Sequence, residues 1–430
     1  MRFATRFRYV FLVYLAFTGC VFAAMTAVAH PWTNGGPSIF GQTFLVGDTA
    51  RSLVEHGRLD VCTEAMGTPG NPICYRAARM PVASGVLALG AILFGDTQPA
   101  RITFAKNLLF LVPFWAAAGL VLWQARSRPT LLLQSAALLL TPAVIMVYSG
   151  TVVNVDAEEG YLFGLLGLGL TLLLFRGRHT VAWVLAVAAT LDLLFLCKSS
   201  MLGVFAVLGC GALLTMRTRW KQVLLVLLLC AAPIGWGVRQ KLVSGHFSVG
   251  TSLDGINLEK GNNERFLSRY PSVSGALDQF DSELNSGMHF QNEWQFNQYH
   301  SQRAKQFIQS HPGYAAHSAA VKVWQSLFTF DRHSRSHYGR ALTAVVEGGF
   351  ILFRLLLWAS ILYAIVASVT GSGAGRFTGV IYLLFLAAYL APYIAGFGYT
   401  RHIVMPLFPA VLLLSSALVR GGPGSAATTA

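Results

Sequence analysis

About ten apolar stretches run through this chain, and the short segments joining alternate pairs of them carry Arg and Lys without Asp or Glu. The basic joins hold Arg2, Arg6 and Arg8; Arg126 and Arg128; Arg176 and Arg178; Arg217, Arg219 and Lys221; Arg376; and Arg420. A helix that crosses the hydrocarbon layer needs ~20 apolar residues. The sequence offers such runs at approximately 9–29, 102–124, 130–149, 161–175, 180–197, 201–216, 222–241, 343–367, 377–397 and 403–420. Basic side chains resist translocation, so their bias sets orientation. The basic joins and both termini are therefore expected in the cytoplasm, and the acids on the outer side or, for Asp192 and Glu347, within spans. The expected fold is an all-α integral membrane protein of about ten spans in a plasma membrane, the inner membrane if the source is bacterial, with its chemistry facing outward.

Composition agrees, since 54% hydrophobic and 12% charged residues are proportions that a soluble core of this length does not reach. The net charge of +14 implies no nucleic-acid partner: setting aside the twelve cytoplasmic residues named above, twenty of the 32 basic residues face 18 acids. Segment 80–95 is apolar but only about sixteen residues long. If it spanned, every later loop would invert, so it is expected to be a helix at the outer interface. Arg-rich residues 1–8, an apolar run and Ala27-Val28-Ala29 imitate a secretory signal. That run is longer than a usual signal core, and an uncleaved first helix is expected.

Three regions follow. Residues 1–241 form an N-terminal transmembrane module that includes a first outer loop at 30–101, residues 242–342 a second outer region with amphipathic helices, and residues 343–430 the C-terminal spans and a short cytoplasmic tail. Loops this long are usually functional. Cys62 and Cys74, eleven residues apart around Pro69-Gly70-Asn71-Pro72, lie outside, where a disulfide is expected in an oxidising envelope. His56 is the one histidine close by, which argues against zinc there. His289, His300 and His333 are expected to be solvated loop residues.

Four separated segments bring acids and cations to one membrane boundary. Asp48 lies in Val46-Gly47-Asp48-Thr49-Ala50-Arg51, ahead of an expected helix, as a candidate base or its N-cap. Asp156, Glu158 and Glu159 precede the fourth span, as a second acidic site or a solvated helix start. Lys198 is central to Cys197-Lys198-Ser199-Ser200-Met201, where it can bind an anion, snorkel or pair with Asp192. Arg401 stands in Tyr399-Thr400-Arg401-His402 at the final outer turn.

The order of these parts resembles the multi-pass GT-C glycosyltransferases, which include protein O-mannosyltransferases and lipid A aminoarabinose transferases. The likeness rests on Asp48, on Arg79-Met80-Pro81 leading to Phe94-Gly95, on the acids near 156–159 and on the Lys198 turn. It extends to Asp254-Gly255-Ile256-Asn257-Leu258-Glu259-Lys260-Gly261-Asn262-Asn263, to His311-Pro312 with Lys322, and to Thr400-Arg401-His402 through Pro406. His402 stands where that family usually has Tyr, and Thr49 where it has a second acid. The resemblance implies a polyprenyl-phosphate-linked sugar donor, a glycan, lipid or protein acceptor, membrane lipids as surroundings, and an optional Mg²⁺ or Mn²⁺ ion. It implies Asp48 as catalytic base, with Lys198, Arg401 and Arg79 on the phosphate. The rival reading is a multi-pass transporter or lipid flippase that uses the intramembrane ionisable residues Asp192, Glu347 and Arg354. Internal repeats and paired broken helices, common in transporters, are not evident.

Overall fold

The computed structural model describes residues 2–29, 45–68, 71–95, 99–149, 157–174, 179–269, 284, 288–328, 340–398 and 400–421. The chain is almost wholly helical. In order it forms α1 (Arg2–Ala29), α2 (Val46–His56), strands β1 (Val61–Thr68) and β2 (Asn71–Tyr75), α3 (Pro81–Phe94), α4 (Pro99–Ala125), α5 (Pro129–Ser149), α6 (Ala157–Leu174) and α7 (Val181–Cys197). A 3₁₀ turn at Ser199–Met201 leads to α8 (Leu202–Thr215) and α9 (Arg219–Ser244). The second polar region holds α10 (Asp254–Gly261), α11 (Phe266–Arg269), α12 (Glu293–Ser310) and α13 (Pro312–Phe328). The chain closes with α14 (Arg340–Thr370), α15 (Ala374–Ala395), α16 (Thr400–Val404) and α17 (Leu407–Gly421).

Helices α1, α4 to α9, α14, α15 and α17 coincide with the ten apolar runs. Among the described residues, four stretches are both long and apolar enough to cross a membrane: Arg219–Ser244, Ile351–Thr370, Ala374–Ala395 and His402–Val419. The bundle closes on an aromatic centre, with Phe408 stacked 5.2 Å from Phe163 and 4.3 Å from Phe114. Glycine makes this approach possible. A Cβ at Gly167 would overlap the Phe408 ring, and one at Gly164 would press on Pro113 and the Phe114 backbone. Small residues in α6 thus let α4 and α17 come close, as helix packing in lipid requires.

Helix α3 carries Pro81 at its first position and ends at Gly95, whose positive φ of 77° no other residue adopts freely. Its 14 residues span about 21 Å at 1.5 Å per residue, short of a ~30 Å hydrocarbon core. It buries Ala83, Leu87, Ala88 and Ala91 and exposes Leu89, Ile92 and Leu93. Helix α2 packs on it through Val46 and Ala50, and the Ser84 hydroxyl donates to the Val46 carbonyl at 3.1 Å. The segment between α2 and α3 contains an antiparallel hairpin that the turn-rich sequence does not announce. Cys62 and Cys74 are direct cross-strand partners and form a disulfide.

The two polar regions are joined by one buried carboxylate. Glu293, in the first turn of α12, accepts hydrogen bonds from the backbone N–H of Arg76 and of Ala77, both at 3.0 Å, and from the Ser252 hydroxyl at 2.7 Å. The Ser252 N–H in turn donates to the Ala77 carbonyl at 2.9 Å. Arg239 of α9 completes the joint by donating to the Arg76 and Leu59 carbonyls.

Candidate functional site

Arg79 ends the turn that Glu293 holds, two residues before α3 begins. Asp254 begins α10 close by, and the Arg79 charge acts on its carboxylate. The Asp254 carboxylate accepts from the Thr251 N–H at 2.9 Å and the Thr251 hydroxyl at 2.7 Å, which holds the turn that leads into the helix. It also accepts from the Ser199 hydroxyl at 3.4 Å, a bond between distant segments. Asp254 keeps accessible surface, yet protein surrounds it closely enough that burial raises its pKa, opposed by the Thr251 and Ser199 hydrogen bonds and by Arg79.

Beside Ser199, the Lys198 ammonium lies 3.4 Å from His402 Nε2. Lys198 is half-buried and sits between α7 and the 3₁₀ turn in extended conformation. The His402 ring stacks on Tyr393 at 4.5 Å, and its carbonyl accepts from the Tyr389 hydroxyl at 2.7 Å. Stacking thus holds the ring, and the hydrogen bond holds its backbone. Helix α10 is seated against the same end of α15: a Cβ at Gly261 would overlap the Gly396 carbonyl, and the Asn262 amide donates to the Ala395 carbonyl at 2.6 Å. The Asn263 amide donates back to the Glu259 carbonyl at 2.8 Å. The Gly-Asn-Asn sequence is thus a helix terminator and a clip rather than a simple turn.

The structure brings Arg79, Lys198, Ser199, Asp254 and His402 to one rim. Of these, Ser199, Asp254 and His402 were not assigned roles from sequence. Arg401 adjoins His402 in α16, but its side chain lies outside the described residues. Asp156 also lies outside them, as do the side chains of Glu158 and Glu159 in the first turn of α6. Asp48 is exposed in the first turn of α2, the helix that packs on α3 through Val46 and Ala50. It is not the N-cap. The helix starts earlier, at Leu45, which has a positive φ of 67°, and Thr49 N–H donates to the Leu45 carbonyl at 3.0 Å.

A further expectation is corrected. His300 is fully buried, its Nδ1 2.5 Å from Glu259 Oε2, while Arg303 Nε binds Glu259 Oε1 at 3.1 Å. It is a core group between α12 and α10, not a solvated loop residue; His289 is exposed and His333 lies outside the described residues. Arg354 of α14 is buried. Its guanidinium donates to the Ser326 and Gln325 carbonyls at the end of α13. Asp192 remains in α7 with a buried Oδ1 that has no hydrogen-bond partner, and the Glu347 side chain lies outside the described residues. No group of three or more His, Cys, Asp or Glu among the described residues is arranged to hold a metal.

Fold and site define an all-helical, multi-pass membrane protein whose polar segments gather acids and cations at one end of its bundle. No protein-family model and no curated protein matches the chain. Among solved structures it is similar to the crystal structure of ArnT from Cupriavidus metallidurans bound to undecaprenyl phosphate, at 13% identity over 91% of this chain and 77% of that one, with a TM-score of 0.35. A superposition at that level carries no argument.

Proposed function

We propose that this protein is an inverting membrane glycosyltransferase that moves a sugar from a polyprenyl-phosphate donor to an envelope glycan, lipid or protein at the outer face of the membrane. The observation that carries this reading is the meeting of Lys198 with His402, 3.4 Å apart, on the rim that also holds Arg79, Ser199 and Asp254. Cations from separate segments beside a hydroxyl and a carboxylate suit a ligand with a phosphate and a polar head, and the bundle below suits its lipid tail.

In the proposed reaction the acceptor hydroxyl attacks the anomeric carbon as the bond from that carbon to the phosphate oxygen breaks. The hydroxyl proton passes to the Asp48 carboxylate. The departing phosphate gains negative charge, which Lys198, Arg79 and Arg401 stabilise from a partly desolvated rim. Direct displacement inverts the anomeric centre. Asp156, Glu158 and Glu159 remain a second acidic site for the acceptor.

The test uses purified protein in proteoliposomes with a radiolabelled polyprenyl-phosphate sugar and an envelope acceptor fraction. Because Asp48 is not the N-cap, Asp48→Asn removes the proton acceptor and costs the helix at most ~1 kcal/mol of macrodipole stabilisation. Transfer is expected to fall by ~10²–10⁴ with donor binding retained, while Lys198→Ala weakens donor binding. Wild-type transfer in Asp48→Asn would move the base to the second acidic site. If the wild type bound no donor and instead built a solute gradient dependent on Asp192, the transporter reading would replace this one.

A further inference from the structure

Helix α13 is built inside out for a helix in water. Its buried face carries Ser318, Lys322 and Ser326, each four residues apart, while Val323, Trp324 and Phe328 are exposed, Trp324 to 59%. Water-facing helices show the opposite pattern. Two of the three buried polar groups bond within the protein: the Lys322 ammonium donates to the Gly261 carbonyl at 2.7 Å and lies 4.7 Å from the Phe266 ring, and the Ser326 hydroxyl donates to the Lys322 carbonyl at 2.8 Å.

The end of the helix points the same way. The last carbonyls of a helix have no partner within it and normally turn to water. Here Gln325 and Ser326 receive the Arg354 guanidinium, and Leu327 receives the Trp358 indole N–H at 3.0 Å. Arg354 and Trp358 are one turn apart on α14. Closing these three backbone acceptors with protein donors is what a helix end needs where water is absent. The exposed ring of Phe328 stacks 4.5 Å from Trp324 and lies 5.1 Å from Trp358, so the apolar surface of α13 continues without a break onto the exposed Ile351, Leu352 and Leu355 of the span that begins at Ile351.

We propose that the C-terminal half of α13 is immersed in the membrane, its Val323, Trp324 and Phe328 face covered by lipid acyl chains near the interface, while its N-terminal half stays in water. The inference stands apart from the proposed chemistry, since it needs neither the donor nor Asp48.

The experiment places spin labels singly at positions 323, 324 and 317 in protein whose Cys20, Cys197, Cys210 and Cys230 are replaced by Ala and whose disulfide is kept, reconstituted in phosphatidylcholine bilayers. Positions 323 and 324 are exposed, as is His317 on the N-terminal half, so the labels displace no core residue. At 323 and 324 relaxation by oxygen is expected to exceed relaxation by a water-soluble nickel chelate several-fold, with the ratio reversed at 317. Nickel access at 324 equal to that at 317 overturns the proposal. Exclusion of both reagents at 324, with a two-protomer mass in detergent, would also overturn it and assign the face to a second copy of the chain. Independently of labelling, quenching of tryptophan fluorescence by lipids brominated high on the acyl chain is expected to drop in Trp324→Phe. Unchanged quenching counts against immersion.

Discussion

Removing the Glu293 carboxylate should part the two polar regions at the point where they hold Arg79 and Asp254. Three donors converge on it, at 3.0, 3.0 and 2.7 Å, and the residue is 2% exposed. A hydrogen bond to a charged group contributes about 1.5–3 kcal/mol, part of which is offset by the cost of burying the charge. That cost is visible in the pKa of Glu293, which burial raises despite the opposing hydrogen bonds from Ser252, Ala77 and Arg76 and the charge of Arg239. Glu293→Ala also strands the N–H groups of Arg76 and Ala77, so a net loss of about 3–5 kcal/mol is expected. Glu293→Gln keeps one acceptor oxygen but turns an NH₂ toward the remaining donors, and should lose about half as much. At 1.4 kcal/mol per factor of ten, a loss of about 3 kcal/mol in local opening raises amide exchange ~10²-fold. The assay is hydrogen exchange by mass spectrometry on detergent-solubilised protein, read on peptides covering 71–80 and 250–258 against α15 as an internal reference. Both of these peptides should lose protection together while α15 is unchanged. Unaltered exchange at 71–80 in Glu293→Ala would refute the idea that this carboxylate joins the regions.

Cys62 and Cys74 should resist maleimide until a reductant is added, and Cys62→Ser should weaken rather than abolish transfer, because closing a loop of this size contributes roughly 3 kcal/mol at most. Burial pushes the Lys322 ammonium down to about 8, so the unfolded chain binds more protons between that value and the ordinary lysine value of 10.5. Stability should therefore rise with pH across that window, and Lys322→Met should flatten the rise in melting temperature; an equal slope in the variant would detach Lys322 from it. Reporter fusions after residues 127 and 218 should read as cytoplasmic and those after 60 and 280 as outer. An outer reading at 127 would make α3 a span.

The spans were legible because an apolar run of the right length leaves a chain in lipid few options, and α6 shows how far this goes: even the tight packing at Gly164 and Gly167 follows from small residues in an apolar helix. The hairpin at 61–75 was read as a turn because Pro69-Gly70 and Pro72 mask strand patterning. Glu293 left no local signal, since two of its partners are backbone groups more than two hundred residues away and the third is the Ser252 hydroxyl on another segment. His300 looked solvated because its neighbours in sequence are polar, whereas its burial depends on Glu259 and on the rings of Phe290 and Phe296. Lys198 and Arg79 were visible as cations beside apolar segments. That Ser199, Asp254 and His402 would join them depends on how α10 seats on α15, which no short window contains.

That seating also dictates an order of assembly. Asn262 reaches a carbonyl 133 residues further along the chain, and Gly261 rests against Gly396. Contacts so distant in sequence form late in synthesis. When α10 leaves the ribosome its resting place does not yet exist, and Lys198 waits without His402. The rim is completed only when α15 and the turn that follows it enter the bilayer, so until then a nascent chain, or one truncated after α13, carries the cations of the site without the frame that orients them.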